Sequence, residues 1–331
     1  MQLESSEVSY NLKGSQMAQP TNLYDTYDTT GIREDLVDVI YNISPEDTPI
    51  LSAIPRTTAK STKHEWQLDA LATPAANSVI EGDDATIDAM TATTRAFNFT
   101  QISDKVIAVS GTQGAVDAAG RADEMAYQVA KKSKELKKDM EFVLIKGQVQ
   151  AVGSATAARA LGSIPTWIAT NGDAGTGGSL STGSGTDLPN SGTDRDLTET
   201  ILKTVIKEVY ESGGEMDMLV VPPSIKQTVS GFNANTTRFG QAENRVEYAA
   251  IDVYSSDFGD LQVVPNRVMA VTSESNAFLI QRDMMATAYL RDFQVQDLAK
   301  TGDSEMKQLL AEYTLEVRNE AAHGMLLDVN Q

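Results

Sequence analysis

The longest hydrophobic pattern in the chain runs from residue 117 to residue 147, DAAGRADEMAYQVAKKSKELKKDMEFVLIKG. Small or apolar side chains recur there every three or four positions, which is the spacing of one buried stripe on a helix. About 30 residues at ~1.5 Å each predict a rod of ~45 Å, which is long for a globular helix, and Gly147 is a suitable stop. The predicted stripe consists of Ala122, Ala126, Val129, Ser133, Leu136, Met140 and Val143.

The same segment carries a run of lysines interspersed with Glu135 and Asp139. Such a run is typical of a solvated helix face. A more specific interpretation is a basic strip that binds phosphate or an acidic surface of a neighbouring molecule. The candidate residues are Lys131, Lys132, Lys134, Lys137 and Lys138.

Two shorter segments also have the helical period. In GIREDLVDVIYNI, residues 31–43, Ile32, Leu36, Val39 and Ile43 predict a short amphipathic helix within an otherwise polar arm. The second segment runs from Asp194 to Glu211, and Gly213 and Gly214 follow it as a stop. Its apolar face is formed by Leu197, Ile201, Val205, Ile206 and Val209.

Alternating or β-rich patterns appear in KHEWQLDAL from Lys63 and in TRAFNFTQISDKVIAVS from Thr94. A long polar stretch separates them, so together they predict a projecting hairpin that needs a surface to lie on.

Near the end of the chain the pattern alternates again. It predicts a strand with one buried and one solvated face, and the overall class is therefore α+β. The buried set is Leu309, Ala311, Tyr313, Leu315 and Val317, and the solvated set is Glu312, Thr314, Glu316 and Arg318.

The stretch MDMLVVPPSIKQTVSGF, residues 216–232, has the layout strand, sharp turn, serine, helix, as in a nucleophile elbow. No glycine flanks Ser224 to permit the strained turn, and Lys226 is two residues on, which points it roughly 200° around a helix. The pattern instead favours a buried strand from Met218 to Val221 that ends at two prolines. A short helix docked by Ile225, Val229 and Phe232 would follow.

Composition and the absence of known motifs exclude several classes of function. The chain of 331 residues has a net charge of −19, which argues against a dedicated nucleic-acid binder because such binding needs cations against phosphates. It has no cysteine and only two histidines, so disulfides and thiolate metal sites are excluded. No phosphate-binding, metalloprotease, hydrolase or calcium-loop motif occurs, and the sequence therefore predicts neither an enzyme nor a cofactor.

Two further segments lack the composition of a core. Fifteen of the 23 residues from 171 to 193 are Gly, Ser or Thr, which predicts a flexible surface loop. The acidic tip EGDDATID, residues 81–88, could hold a cation loosely, although carboxylates at such tips are usually only solvated. The polar N-terminus has no secretion signal and no apolar run reaches the ~20 residues of a membrane span, so we expect folding in a cytosol.

Six separated segments, taken in order, resemble the major head (capsid) proteins of tailed bacteriophages, in the SU10-like group. They are spread from roughly residue 20 to the C-terminus, and it is their agreement in this order that makes the resemblance specific. The segments are SPEDTPILSAI, HEWQLDAL, SGTQGAVDAAGRADEMAYQVAKKSKELKKDMEFVLI, LVVPPSIKQTVSGF, IDVYSSDFGDLQVVPNR and LRDFQVQDLAKTGDSEMKQLLAEYTLEVRNEAAHGM.

The resemblance implies an HK97-like capsid fold with five parts. An N-terminal arm (1–61) would precede an extended loop formed by a β-hairpin (62–110). A peripheral domain (111–193) would contain the spine helix, 117–147, and the Gly/Ser-rich loop, 171–193. An axial domain (194–280) would follow, and residues 281–331 would return to the peripheral domain.

The resemblance also implies function. The chain would self-assemble into hexamers and pentamers of an icosahedral head that encloses double-stranded DNA. Its partners would be further copies of itself, a portal, and scaffold or decoration proteins, with non-specific proximity to DNA and no membrane. The lysine strip would then face the lumen. An alternative from another class is a virion decoration or fibre protein, against which the absence of internal repeats speaks.

Overall fold

The computed structural model describes residues 47–84, 87–116, 123–232, 252–272, 276–300 and 302–330. The helix expected over 31–43 lies outside these ranges. The helices are α1 (Pro49–Ala53), α2 (Gly111–Ala115), α3 (Glu124–Ile145), α4 (Glu199–Glu211), α5 (Pro223–Phe232) and α6 (Met269–Thr272). The strands are β1 (Arg56–Thr58), β2 (Lys63–Leu68), β3 (Thr94–Phe99), β4 (Gln101–Ser110), β5 (Gly172–Asp173), β6 (Met218–Val221), β7 (Val253–Ser256), β8 (Gly259–Pro265), β9 (Ala277–Ile280), β10 (Met285–Asp297), β11 (Ser304–Val317) and β12 (Gly324–Leu326).

A four-stranded sheet with the order β1-β10-β11-β4 carries α3 on one face. Helix α3 is shorter than the predicted 117–147. It begins at Glu124 because the Asp123 carboxylate accepts hydrogen bonds from the amides of Met125 and Ala126 and caps the helix there. Its 22 residues span ~33 Å rather than ~45 Å.

The buried stripe of α3 also differs from the predicted one at both ends. Leu136 and Met140 are buried as expected, but Ala126 is exposed, and Val129, Ser133 and Val143 are half-buried. Ala122 lies outside the described residues. The stripe instead consists of Met125, Leu136, Met140, Glu141, Leu144 and Ile145, one of which is a carboxylate.

A six-stranded sheet with the order β5-β12-β9-β6-β8-β7 forms the second layer system. Strand β6 is fully buried, and Pro223 opens α5, whose Ile225 and Val229 are buried against the sheet. The strand-and-helix interpretation of residues 216–232 is therefore confirmed. The Lys226 ammonium donates to the carbonyl of Val263 at 2.8 Å.

The predicted long hairpin is shorter in the structure. Only β2 and β3 pair with each other, from Lys63↔Phe99 to Leu68↔Thr94, while β4 turns away and pairs with β11 in the four-stranded sheet. Thr100 separates β3 from β4. The hairpin thus stands on the sheet as a two-stranded stem, and the described residues from 69 to 93 form its extended tip.

The expectation of a flexible loop over 171–193 is wrong, because this segment is held by many defined hydrogen bonds. The Asp328 carboxylate accepts from the Gly175 amide at 2.9 Å and from the Ser191 hydroxyl at 2.7 Å. The Asn171 side chain donates to the carbonyl of Ala321 at 2.7 Å. Glycine is needed here for close backbone approach rather than for mobility, since a Cβ on Gly175 would overlap the carbonyl oxygen of Thr193.

We therefore expect Gly175→Ala to destabilise the folded chain by about 1–3 kcal/mol, because the Thr193 backbone must shift to admit the methyl group. The matched control is Gly114→Ala in α2, where an added Cβ meets no described atom within 4 Å. Chemical denaturation of both variants measures the difference. Equal stability of the two variants would contradict the close packing of this segment.

Strand β11 is also more buried than the sequence predicted. Both of its faces are buried from Leu309 to Val317, including Glu312 and Thr314. The face expected to be solvated is covered by the hairpin stem and by the loop that contains Arg159. Hydrophobic periodicity cannot detect such a cover, because the covering groups are polar and reach β11 from segments distant in sequence.

Candidate assembly site: an exposed tip and its buried anchors

The tip of the hairpin exposes an unusual amount of apolar surface. Five large apolar side chains in it are between 78% and 99% exposed, more than any other large hydrophobic residue described. Acidic residues lie among them, namely Glu81, Asp83, Asp84 and Asp88, all exposed. This concentration of exposed apolar side chains in one segment is typical of an interaction site. The five residues, called here the apolar tip set, are Leu71, Val79, Ile80, Ile87 and Met90.

The stem of the hairpin is anchored to β11 through Glu316. The His64 imidazole of β2 contacts the Glu316 carboxylate at 2.8 Å, and the Arg318 guanidinium reaches its other oxygen at 3.0 Å. The hydrogen bond from His64 is the main reason that the pKa of Glu316 lies below its usual value, with Arg318 adding to the effect against the cost of burial. Glu316 is thus held as a carboxylate at the foot of the stem.

Two uncharged contacts complete this attachment. Asn98 of β3 is fully buried and donates to the carbonyls of Leu315 and Gly162, at 2.9 and 3.1 Å. The ring of Trp66 in β2 lies 5.4 Å from that of Trp167. The stem is therefore fixed from both of its strands, and its orientation relative to the four-stranded sheet is set.

Glu312 is a second buried carboxylate on the same face of β11. Its side chain is only 4% exposed, and it accepts from Arg159 at 2.6 Å, Arg291 at 2.7 Å and the Thr100 hydroxyl at 2.9 Å. Three donors from three separate segments satisfy the charge, which is the condition under which a buried carboxylate is tolerated. The cluster ties the connection between β3 and β4 to the centre of the sheet.

Glu141 of α3 joins three parts of the fold. The carboxylate is fully buried and accepts from the backbone amides of Ile50 at 3.0 Å and Leu51 at 2.8 Å, at the start of α1. It also accepts from the Asn266 amide at 2.7 Å, just after β8. Burial raises the pKa of Glu141, and the three hydrogen bonds oppose that shift. Sequence reasoning missed this residue, although a charge between Met140 and Leu144 in an apolar stripe was a signal.

The predicted lysine strip lies on the outward face of α3. Lys131, Lys134 and Lys137 are exposed and Lys132 and Lys138 are half-buried. Lys132 pairs with Glu135 at 2.6 Å, and the Lys137 ammonium lies 5.9 Å from the centre of the Phe293 ring. The exposed lysines Lys131, Lys134 and Lys137 lie on one side of α3, whereas Lys132 lies off that side and forms an ion pair with Glu135.

Other kinds of site find little support in the described residues. No helix in the described ranges combines the length and the apolar character that crossing a bilayer demands. Nor do the described side chains bring three histidines or carboxylates together in the way that a metal site requires. The acidic tip residues are spread along an extended segment rather than gathered around one point.

Comparisons with known proteins identify similar capsid proteins. The chain is 28% identical over 348 residues to the major capsid protein of Escherichia phage Phieco32, covering 94% of this chain and 97% of that protein. Among solved structures, it resembles the capsid of a native GTA particle with a TM-score of 0.64 at 11% identity, covering 92% and 98% of the two chains. The Cyanophage A-1(L) capsid gives a TM-score of 0.63 at 14% identity, covering 94% and 100%.

These structural similarities establish the α+β, HK97-like capsid fold that the sequence predicted. The family model described as SU10 major capsid protein matches residues 19–330, which is nearly the whole chain. The chain belongs to the SU10 major capsid protein family, and it is a major capsid protein and a component of a virion.

Proposed function

We propose that this chain forms the icosahedral head of a tailed phage by closing into hexamers and pentamers around double-stranded DNA, and that it assembles in the host cytoplasm. The observation that carries the proposal is the apolar tip set, which is almost fully exposed on a stem that is rigidly anchored. Covering such an apolar surface lowers its free energy, and in a closed shell a neighbouring copy supplies the cover.

In a ring the contact is heterologous, so the tip must meet a different patch on the next copy. The four-stranded sheet offers such a patch on the face opposite α3, where Ile102 and Val106 of β4 are about half exposed. Their neighbours in sequence, Lys105 and Ile107, point the other way, with Lys105 bonded to Asp139 of α3. The proposal places the tip of one subunit on this open face of its neighbour.

The proposed division into domains follows the two sheets in part. The proposed axial domain, 194–280, contains α4, α5 and strands β6 to β9 of the six-stranded sheet, and the proposed peripheral domain contains α3 and strands β10 and β11 of the four-stranded sheet. Strands β5 and β12 lie in the proposed peripheral segments of the chain but pair within the six-stranded sheet. Portal, scaffold and decoration proteins are further proposed partners by analogy with the family. The alternative of a decoration or fibre protein is disfavoured by the family membership, which spans both sheets.

Electron microscopy of the purified chain tests the proposal. Closed shells, or rings of six and five subunits, are the expected result. Elongated trimers would favour the fibre alternative, and a chain that stays monomeric at high concentration would contradict self-assembly.

For DNA we propose only a non-specific relation, in which the lysine strip faces the lumen and offsets the acidic field of the shell near the genome. Replacing Lys131, Lys132, Lys134, Lys137 and Lys138 by glutamine is then expected to reduce the DNA content of full heads severalfold. The matched control replaces Lys203 and Lys207, which pair with Glu199 and Glu211 on the exposed face of α4. The readout is the ratio of DNA to protein in purified heads, and an unchanged ratio in the five-lysine variant would contradict the proposal.

A further inference from the structure

Two chain crossovers connect the sheets side by side. The first leaves β9 at Ile280 and enters β10 at Met285, and the second leaves β11 at Val317 and enters β12 at Gly324. They are bonded to each other, since the Arg318 amide donates to the carbonyl of Met284 at 2.9 Å. A third segment joins them where the side chain of Asn171 donates to the carbonyls of Ala321 and His323. This region, residues 281–284 with 318–323, is called the neck.

His323 is fully buried in the neck and bridges the two crossovers with its ring. The Gln281 amide donates to Nδ1 at 3.3 Å, so Nδ1 must carry a lone pair rather than a proton. The proton of the neutral ring therefore lies on Nε2, which is 3.3 Å from the carbonyl of Met284 and donates to it. One imidazole thus accepts from the Gln281 amide at the start of the first crossover and donates to the Met284 carbonyl at its end.

The charged groups around His323 are themselves paired. Asp217, which precedes β6, binds the Arg282 side chain at 2.5 Å, and Arg318 binds Glu316. Glu320 accepts from the backbone amides of Ala169 and Thr170, both at 3.2 Å. Burial lowers the pKa of His323 to about 4, although the Met284 carbonyl, Glu320 and Asp217 all favour the protonated ring.

We propose that His323 is a proton-sensitive pin of the neck, which holds the two sheets at a fixed angle while its ring is neutral and releases them when the ring is protonated. Protonation places an N–H on Nδ1 directly against the N–H of Gln281. That contact of two donors breaks the bond that ties the second crossover to the start of the first. The two crossovers then keep the bonds that Arg318 donates to the carbonyls of Met284 and Asp283, and the loss of the bond to Gln281 gives the six-stranded sheet freedom to tilt. This inference concerns a single subunit and does not depend on the proposed assembly.

The direction of the pH effect follows from the pKa. A histidine whose folded pKa lies below its unfolded value contributes stability that is complete above about pH 6.5. That contribution falls as the pH is lowered through 6.5 and is lost near pH 4, where the buried ring takes up its proton. Opening of the neck is therefore expected near pH 4 and not near neutrality.

A first experiment reads the ring directly. The chain has only two histidines, so the full-length His64→Gln variant leaves His323 as the single imidazole. Nitrogen-15 NMR of the labelled side chain is expected to show the Nε2–H tautomer and a titration midpoint near 4. A midpoint near 6.5, or the Nδ1–H tautomer, would overturn the proposal.

A second experiment reads the neck. Because the chain has no cysteine, Val253→Cys in β7 and Val295→Cys in β10 place one spin label on each sheet, at half-exposed positions. The distance distribution between the labels is expected to be narrow at pH 7.5 and to shift or broaden near pH 4, while circular dichroism stays native. The same labels in His323→Gln are expected to give a distribution independent of pH, because glutamine does not titrate. An identical acid response in His323→Gln, or a shift that appears only with global unfolding, would overturn the proposal.

Discussion

Deletion of residues 72–92 is expected to yield folded, soluble subunits that form no stable shells. The deletion removes four of the five apolar tip residues but leaves the stem strands β2 and β3 and their anchors on β11. Each large apolar side chain contributes about 1.5–3 kcal/mol when it becomes buried, so the loss of four of them weakens one tip contact by about 6–12 kcal/mol. Because every subunit makes that contact in a closed ring, the loss is repeated around the shell. Electron microscopy and sedimentation measure shell formation, and thermal unfolding verifies the fold.

Substitutions separate the apolar from the charged contribution of the tip. Replacing Leu71, Val79, Ile80, Ile87 and Met90 together by serine is expected to reproduce the assembly defect of the deletion. Neutralising Glu81, Asp83, Asp84 and Asp88 as Asn or Gln is the matched control. It changes the same segment without removing apolar surface, and we expect shells to persist. Intact particles from the deletion or from the serine variant would contradict the role of the tip in assembly.

The sequence predicted those elements whose hydrophobic period is unbroken and local. Strand β6, the two prolines and α5 follow from a run of four apolar residues and from the fixed backbone geometry of proline. The central part of α3, with Leu136 and Met140, follows from the helical period for the same reason. In these segments each residue's environment is set mainly by its immediate neighbours in the chain.

Two of the failures have a different cause, which is polar contact between residues distant in the sequence. The solvated face expected for β11 is covered because Glu312 meets Arg159 and Arg291, which are 153 and 21 residues away. The segment from 171 to 193 is ordered because Asp328 binds it from the C-terminal end of the chain. Composition predicted flexibility there because it counts missing apolar area and does not count hydrogen bonds to a distant carboxylate.

The candidate assembly site could likewise be predicted only in part from the sequence. A projecting hairpin that needs a surface could be predicted, since its strand patterns and polar connection are local. The anchors could not, because His64, Glu316 and Glu141 act through partners that only the fold brings together. The start of α3 was misplaced because Asp123 caps the helix, whereas the apolar period alone allowed an earlier beginning.

Replacement of Glu141 by alanine is expected to be among the most destabilising single changes in the chain, at on the order of 3–5 kcal/mol. Helix α1 begins at Pro49 and its own flanking residue Thr48 provides no side-chain cap, so the amides of Ile50 and Leu51 depend on this carboxylate. Alanine leaves both amides and the Asn266 amide without their acceptor in a buried place and opens a cavity. Chemical denaturation measures the loss, and hydrogen exchange at Ile50 and Leu51 locates it.

Glu141→Gln separates charge from shape. The amide keeps one acceptor but turns a donor toward a backbone or side-chain N–H, so we expect a smaller loss of about 1–3 kcal/mol. The raised pKa of Glu141 sets the direction in which the stability of the wild-type chain changes with pH. Because the folded state holds the proton more tightly than the unfolded state, the free energy of unfolding falls as the carboxyl ionises. The advantage of the wild-type chain over Glu141→Gln should therefore shrink as the pH rises above about 4.5. Glu135→Gln on the same helix removes only a surface pair with Lys132 and should change stability by about 0–1 kcal/mol. If Glu141→Ala were no more destabilising than Glu135→Gln, Glu141 could not be the group that joins α1, α3 and the end of β8.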